Sequence, residues 1–173
     1  MNDLPKVGDT FKAKLESGER QKMIRKFHIN DIDRVMNIWL ETNQHAHDFI
    51  PKTYWDSNVA VVKEMIPQAE VFVYLEEGQH NGESNGEILG FIGVVESTYL
   101  AGLFVQKDCQ TKGIGSQLLN HCKTLYPQLV LDVYVKNQQA VSFYKKHHFT
   151  IEEEKKNEDT GEMEYRMVFN AVK

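Results

Sequence analysis

Residues 99–119 read YLAGLFVQKDCQTKGIGSQLL, and this stretch decides the fold. Its first seven residues are β-prone, and Ile114 begins a segment whose apolar residues recur at helical spacing. Gly113 and Gly115 stand where that helix begins. A helix start offers free backbone N–H groups and the positive end of the helix dipole, and glycines let an anion come close. The stretch therefore predicts a strand, an anion-binding turn and a helix, and Lys112 adds positive charge to the turn.

A second informative stretch, LDVYVKNQQAVSFYKKHHF, spans residues 131–149. It predicts a strand that ends near Val135, followed by a helix from Gln138 to His147. Asn137 stands directly before this helix, at the position where asparagine caps free N–H groups of the first turn. The two stretches together predict a strand–helix–strand crossover in the middle of a mixed α/β domain.

Both stretches resemble motifs of the GNAT superfamily of N-acetyltransferases. Residues 110–115, QTKGIG, resemble its Q/R-x-x-G-x-G/A loop, which binds the pyrophosphate of acyl-CoA. Asn137, Ala140, Tyr144 and Phe149 resemble its second motif, although His148 stands where the family commonly has glycine. The resemblance implies an α/β GNAT fold, a mixed sheet of about seven strands flanked by about four helices. Splayed parallel strands, 99–105 and 129–135, would form the acyl-CoA cleft.

The resemblance also implies that acetyl-CoA is the co-substrate and that no metal takes part. The pantetheine arm would lie along strand 99–105 like an additional strand and reach Asn137. The same strand residues are equally expected to be buried, and Asn137 is equally expected to cap its helix. The residues expected to contact acetyl-CoA are Leu103, Phe104, Val105, Gln110, Thr111, Lys112, Gly113, Ile114, Gly115, Ser116, Asn137 and Tyr144.

Tyr144 resembles the general acid of the family, which protonates the departing thiolate. A thiol has a pKa of ~8.5 and a phenol one of ~10, so a phenol can stabilise the leaving sulfur without a strongly shifted pKa. The alternative is a core tyrosine beside Val141 on the inner face of the helix.

The general base is less clearly marked. An amine like that of lysine has a pKa of ~10.4 and must lose a proton before it attacks. Many members of the family carry an acidic residue on the strand before the pyrophosphate loop, but residues 99–105 contain no Asp or Glu. Glu96 is the nearest carboxylate, with His47 or Tyr99 acting through water as substitutes. The alternative for Glu96 is an ordinary exposed turn residue.

The segment from Thr42 to Trp55 is predicted to be a loop, and the resemblance implies that it covers the acceptor side of the cleft. A carboxylate among aromatic rings suits an aliphatic ammonium ion through charge and cation–π contacts. Alternatively, these rings pack on the sheet. The residues expected to contact the acceptor are His47, Asp48, Phe49 and Trp55.

The rest of the chain completes the order β-α-α-β-β-β-α-β-α-β-β. Residues 1–22 are polar and are expected to be an extension, and residues 23–173 form the catalytic domain. Residues 76–86 are expected to be a hairpin loop. Strands are predicted at 23–28, 70–75, 87–95, 99–105, 129–135, 149–152 and 163–169, and helices at 32–39, 57–66, 114–125 and 138–147.

The overall composition excludes several functional classes. The formal net charge is -5, which gives no basic surface for nucleic acid. No run approaches the ~20 apolar residues that span a bilayer, so no membrane partner is expected. The two cysteines form no metal motif and fit reduced thiols in the cytoplasm. We expect a monomer or homodimer.

Two other functions compete with acetyl transfer. A dinucleotide or ATP site is disfavoured, because the loop lacks the third glycine of GxGxxG and the GK[ST] of a P-loop. A non-catalytic acyl-CoA-binding domain of the same fold is the alternative, and CoA release with a panel of amines separates it from an enzyme. The acceptor is left open among small polyamines, aminoglycosides, amino acids, peptide N-termini and protein lysines.

Overall fold

The computed structural model describes residues 21–77 and 86–171 and shows an α/β fold. Within these ranges a seven-stranded sheet is flanked by four α-helices, in the predicted order. The strands are β1 Gln21–Lys26, β2 Glu70–Glu77, β3 Gly86–Val95, β4 Tyr99–Val105, β5 Gln128–Tyr134, β6 Thr150–Lys156 and β7 Met163–Asn170. The helices are α1 Ile32–Ala46, α2 Lys52–Met65, α3 Ile114–Leu125 and α4 Gln138–Lys146.

The sheet is mixed, with the strand order β1-β2-β3-β4-β5-β7-β6. All neighbouring strands are antiparallel except β4 and β5, which are parallel. Those two strands pair at one position, Tyr99 with Val130, and the described residues form no further pair between them. The predicted splaying of the two parallel strands is therefore confirmed, and it opens a gap in the middle of the sheet.

Each face of the sheet has its own hydrophobic core. On one face α3 and α4 bury Leu118, Leu119 and Tyr144 against β5 and its neighbours. On the other face α1 and α2 bury Val35 and Trp55 against β2 and β3. The sheet is thus covered on both faces, which leaves the gap between β4 and β5 as a slot enclosed by helices.

The connection from β3 to β4 is a tight turn followed by a bulge. Glu96 and Ser97 both have positive φ, 51° and 55°, and the Thr98 N–H bonds the Val95 carbonyl, as in the twisted turns that join hairpins. Gly93 pairs with Gly102 and Val94 pairs with Leu100, so Ala101 is an additional residue on β4. A bulge of this kind bends its strand and redirects the side chains that follow.

Several boundaries differ from the predicted ones. The predicted loop from Thr42 to Trp55 is shorter, because α1 continues to Ala46 and α2 begins at Lys52. Strand β6 runs to Lys156, four residues beyond its predicted end. Of the expected N-terminal extension, residues 1–20 lie outside the described residues, and the other two belong to β1. The predicted hairpin loop likewise falls largely outside them. No helix in the described part of the chain is long and apolar enough to cross a membrane.

Candidate active site

The gap between β4 and β5 forms a cleft of about 780 Å³. Its walls are the end of β4, the turn before α3, α4 with the residues that precede it, and the end of α1 with the loop that follows. Ligand sites commonly enclose about 300–1,000 Å³. Among the expected cofactor contacts, those that line this cleft are Leu103, Phe104, Val105, Gln110, Thr111, Gly113, Ile114, Gly115, Ser116, Asn137 and Tyr144.

The turn before α3 presents unpaired backbone donors to the cleft. Gly113 is the N-cap of α3 and has no side-chain cap. The first helical hydrogen bond runs from the Gln117 N–H to the Gly113 carbonyl at 3.0 Å, so the amides of residues 114–116 have no carbonyl within the helix. Thr111 has a φ of 64°, which is strained for a β-branched residue and is typical of functional turns. This geometry suits an anion.

The two glycines of the turn have different roles. Gly113 has a φ of 83°, which L side chains rarely adopt, and a Cβ built there would have Gln117 Nε2, at 3.9 Å, as its nearest neighbour. A Cβ on Gly115 would instead make ordinary contact with Phe143 Cζ at 3.5 Å and Leu103 at 3.8 Å. The backbone therefore requires glycine at 113, whereas 115 has room for a methyl group, in agreement with the G/A of the resembled motif.

Polar side chains attach the turn to the surrounding elements. Gln110 donates to the Val105 carbonyl at 3.1 Å, and Ser116 Oγ lies 3.0 Å from His147 Nε2. Burial and the neighbouring charges of Lys123 and Lys146 lower the pKa of His147. Lys112 is exposed and is not among the residues that line the cleft, so its predicted contact with acetyl-CoA stays a prediction.

Asn137 connects α4 to the loop after α1. Its Oδ1 accepts from the Ala140 N–H at 3.1 Å, which confirms the predicted helix cap. The amide nitrogen Nδ2 is thereby oriented toward His47 Nε2, 3.0 Å away. Because Nδ2 is a donor, Nε2 of His47 must accept, and the ring proton lies on Nδ1.

The imidazole of His47 is uncharged and accepts the hydrogen bond from Asn137. Burial lowers its pKa to about 4, against a smaller opposing contribution from the Asn43 backbone. Its Nδ1 is buried and has no hydrogen-bond partner among the described residues. With Nε2 already bonded to Asn137, His47 has no free basic nitrogen, which argues against its action as a general base.

Aromatic rings hold His47 in place. It stacks on Trp55 at 5.3 Å between ring centroids and meets Phe49 and Tyr134 edge-on. Trp55 lies within α2 and is only 7% exposed, so it packs beneath the loop and does not form a wall of the cleft. Of the four residues expected to contact the acceptor, His47 and Asp48 line the cleft, and Phe49 and Trp55 do not.

His47 should make stability depend on pH. An unfolded chain takes up the histidine proton near pH 6.5, whereas the folded protein does so near pH 4. Between these values the unfolded state binds more protons, so stability falls as the pH falls. One pKa unit corresponds to about 1.4 kcal/mol, so the loss attributable to His47 approaches about 3 kcal/mol. His47→Gln should lose less stability than the wild type between pH 6.5 and 4, measured by urea unfolding at several pH values.

The control for this measurement is His45→Gln, which changes an exposed histidine two residues away. Its stability should follow the wild-type pH dependence. Identical pH slopes for His47→Gln and the wild type would contradict the assignment of a neutral, buried imidazole at position 47.

Tyr144 brings a phenol to the cleft. The residue is 7% exposed, and burial raises its pKa above the ordinary value. Its ring packs edge-on against Phe143 and Phe149, so the core-packing alternative is also true of the ring. The hydroxyl makes no hydrogen bond within the described residues. Its oxygen is not fully buried, so it is accessible from the cleft. A phenol in this state can donate to a group bound in the cleft.

Glu96 is not brought into the cleft. It is exposed in the turn before β4, ahead of the single pair that joins β4 to β5. The strands splay beyond that pair, so Glu96 lies at the closed end of the gap. This position differs from that expected of a base that contacts the acceptor, and it agrees with the alternative of an exposed turn residue.

Other cleft residues were not predicted from the sequence. Phe143, Lys136 and Lys146 line the cleft together with Asn137 and Tyr144. The available signal was the helical spacing of α4, which places positions 140, 143 and 144 near one face. Within the ranges 21–77 and 86–171, no three His, Cys, Asp or Glu side chains cluster as metal ligands would.

A parallel strand pair that splays in front of an uncapped, glycine-containing helix start is the arrangement that the resemblance to acyl-CoA-dependent acyltransferases implied. Comparison with known families agrees with this class. Residues 46–168 match the acetyltransferase (GNAT) domain. The chain belongs to the GNAT family of acetyltransferases, and it is an acyl-CoA-dependent N-acyltransferase.

Individual relatives and solved structures agree with this family assignment. The chain is 32% identical over 130 residues to the peptidyl-lysine N-acetyltransferase YiaC of Escherichia coli K12, covering 75% of this chain and 84% of YiaC. The solution structure of apo YjaB from Escherichia coli superposes with a TM-score of 0.72 and 22% identity, covering 88% and 99% of the two chains. PaiA N-acetyltransferase from Thermoplasma acidophilum, in complex with coenzyme A, gives a TM-score of 0.68 and 18% identity, covering 87% and 99%. The two structures support the fold.

Proposed function

We propose that the protein transfers the acetyl group of acetyl-CoA to a primary amine by direct attack, with Tyr144 as the general acid. The observation that carries the proposal is the cleft itself. It joins an anion-binding helix start, an unpaired strand edge and an unpartnered phenol. Acetyl-CoA carries a pyrophosphate, an amide-containing arm and a thioester, which need these three features in that order.

The residues of the cleft fit acetyl-CoA. The amides of residues 114–116 would hold the pyrophosphate, because helix N-termini bind phosphates through free N–H groups. The edge of β4 from Leu103 to Val105 would bond the amides of the pantetheine arm, since this edge has no strand partner within the described residues. Asn137, fixed by His47, would meet the same arm. Acetyl-CoA supplies an activated acyl group on a sulfur leaving group.

Tyr144 acts at the sulfur. Its phenol would donate a hydrogen bond and then a proton to sulfur as the carbon–sulfur bond breaks. The phenol is protonated at neutral pH, which is the form that a general acid requires, and its raised pKa makes it a weaker acid than a free phenol.

For the acceptor we propose a lysine side chain of a peptide or protein. The support is the name of the relatives YiaC and YjaB, which are peptidyl-lysine N-acetyltransferases. The exposed Asp48 lines the cleft at the loop after α1 and offers a negative charge to an approaching ammonium group. We also propose a cytoplasmic location, which the free thiols of Cys109 and Cys122 support.

The test is an acceptor panel. Wild-type protein is mixed with acetyl-CoA and either a lysine peptide, a polyamine, a free amino acid or a peptide with only an α-amine. Release of free CoA and the gain of one acetyl group by mass spectrometry are measured. We expect both signals with the lysine peptide.

The matched control is the same peptide with arginine in place of lysine, both with blocked N-termini, which keeps the positive charge and removes the transferable amine. It should give no acetylated product. If acetyl-CoA binds and no amine raises CoA release above the rate without acceptor, the non-catalytic acyl-CoA-binding alternative is correct.

A further inference from the structure

In many members of the family a carboxylate on the strand before the pyrophosphate loop acts as the base, and this chain has no carboxylate on that strand. Residues 99–105, all of β4, contain no Asp or Glu. Glu96 lies at the closed end of the gap, and the basic nitrogen of His47 is bonded to Asn137. A proton acceptor for the incoming ammonium group must therefore come from another element.

Glu164 is a buried carboxylate that is not itself among the residues that line the cleft, but it is connected to them through Tyr134 and His47. It is the second residue of β7 and is 8% exposed. It pairs across the sheet with Tyr134, so the two side chains project from the same face. Tyr134 meets His47 at 5.1 Å and Phe49 at 5.7 Å between ring centroids. Glu164 thus projects from the face that is covered by α1, α2 and the loop between them.

One carboxylate oxygen of Glu164 is available to accept a proton or a hydrogen bond. Oε1 accepts from Asn157 Nδ2 at 3.1 Å, and Oε2 accepts no hydrogen bond from any described residue. The neighbouring Asp132 differs, because Lys155, Arg166 and the Tyr99 hydroxyl all donate to it at 2.9–3.3 Å. Asp132 is therefore a compensated structural charge, whereas Glu164 keeps an unused acceptor.

The protonation of the two carboxyl groups follows from these contacts. Burial and the charge of Asp132 raise the pKa of Glu164, although Asn157, Lys155 and Arg166 oppose the shift. Burial also disfavours ionised Asp132, but the hydrogen bonds and charges of Arg166 and Lys155 outweigh it and lower its pKa. Neighbouring carboxyl groups whose pKa values diverge are the usual arrangement of acid–base sites.

The charge of Glu164 acts on three tyrosine hydroxyls. Tyr54 on α2, Tyr99 on β4 and Tyr134 on β5 each have a pKa raised by burial, and the charge of Glu164 adds to each shift. Asp159, in the turn between β6 and β7, acts on Tyr54 and Tyr134 in the same way. Tyr134, the cross-strand neighbour of Glu164, places a phenol ring beside the carboxylate, and such a pair suits an aliphatic ammonium group through cation–π and charge contacts.

We propose that Glu164 is the general base of the transfer and binds the ammonium group of the acceptor. This proposal rests on the proposed function. Glu164 takes one proton from the ammonium group, and the neutral amine forms a nitrogen–carbon bond with the thioester carbonyl. The carbon–sulfur bond then breaks with its electron pair on sulfur, and Tyr144 protonates that sulfur. The acylated nitrogen gives its surplus proton back to the tyrosinate, and Glu164 returns its proton to solvent.

The test compares Glu164→Gln with the wild type on two acceptors, a lysine peptide and an amine of low basicity that is neutral at the assay pH. Glutamine keeps the shape and removes the base. We expect kcat/KM for the lysine peptide to fall by about 100-fold, the lower end of general acid–base effects. For the low-basicity amine we expect a loss of less than about 10-fold, because little of it needs deprotonation. Affinity for acetyl-CoA, measured by calorimetry, should not change.

Further variants separate catalysis from folding. Glu164→Asp keeps a carboxylate and should retain more activity than Glu164→Gln, although it changes the shape more. Glu154→Gln, an exposed carboxylate on the neighbouring strand β6, should behave as the wild type. In Glu164→Gln a neutral glutamine replaces a desolvated charge, so the melting temperature of this variant should not fall below that of the wild type.

Two results would overturn the assignment. Equal losses for both acceptors would show a structural role, and wild-type activity of Glu164→Gln would show no role. Turnover of the lysine peptide by the wild type tests the proposed function separately, so the two failures are distinguishable.

Discussion

Gly113→Val is expected to weaken acetyl-CoA binding by at least about 100-fold, which corresponds to about 2.7 kcal/mol. A side chain at this position starts from the N-cap of α3, beside the free amides that we propose bind the pyrophosphate, and would obstruct its approach. Hydrogen bonds to charged groups contribute about 1.5–3 kcal/mol each, so the loss of one or two accounts for the effect. Calorimetric titration with acetyl-CoA gives the affinity, and circular dichroism reports the fold.

Valine also strains the backbone, because φ at Gly113 is 83°. Gly113→Asn separates the two effects, since asparagine tolerates left-handed backbone and still adds a side chain. Gly161→Asn is the matched control, at another glycine of positive φ that does not line the cleft. Retained acetyl-CoA affinity in folded Gly113→Val and Gly113→Asn would place the pyrophosphate elsewhere.

Tyr144→Phe is expected to lower kcat by about 10²–10⁴-fold while the affinity for acetyl-CoA changes little. The phenyl ring keeps its packing against Phe143 and Phe149. The hydroxyl has no hydrogen-bond partner among the described residues, so its removal leaves no protein group unsatisfied. Stability should be unchanged. Steady-state kinetics with a saturating acceptor and thermal melting measure the two quantities.

Tyr126→Phe is the control for this prediction. Tyr126 belongs to the same hydrophobic core, and its buried hydroxyl also lacks a partner in the described residues, but it does not line the cleft. It should keep full activity. If Tyr144→Phe is as active as Tyr126→Phe, then Tyr144 is a core aromatic and another group protonates the sulfur.

The elements near the cleft could be predicted from the sequence because their signals are local. Strand β4 and helix α3 have the predicted bounds, since a β-prone run, two glycines and a helical repeat follow one another directly. The end of α1 was missed because Thr42 and Asn43 look like loop residues. In the structure both bond back to carbonyls of the preceding helical turn, which satisfies them within the helix.

The elements of the proposed cofactor side were predictable, and those of the proposed acceptor side were not. The proposed contacts to the pyrophosphate belong to one continuous turn, and that turn has a recognisable pattern. The surroundings of Glu164 come from α2, β4, β5 and the turn after β6, which are distant in sequence. The role of His47 also depends on a contact to Asn137, 90 residues away, that no local pattern encodes.

The gap between β4 and β5 gives the sheet four edges where an unbroken sheet has two. An unpaired edge can recruit an extended chain, and charged residues discourage this. The outer strands are charged, with the sequences QKMIRK in β1 and TIEEEKK in β6. The inner strands, YLAGLFV and QLVLDVY, contain a single charged residue, Asp132. Strand addition is therefore discouraged at the outer edges of the sheet and permitted at its centre, where the proposed additional strand is the arm of the cofactor instead of a neighbouring protein.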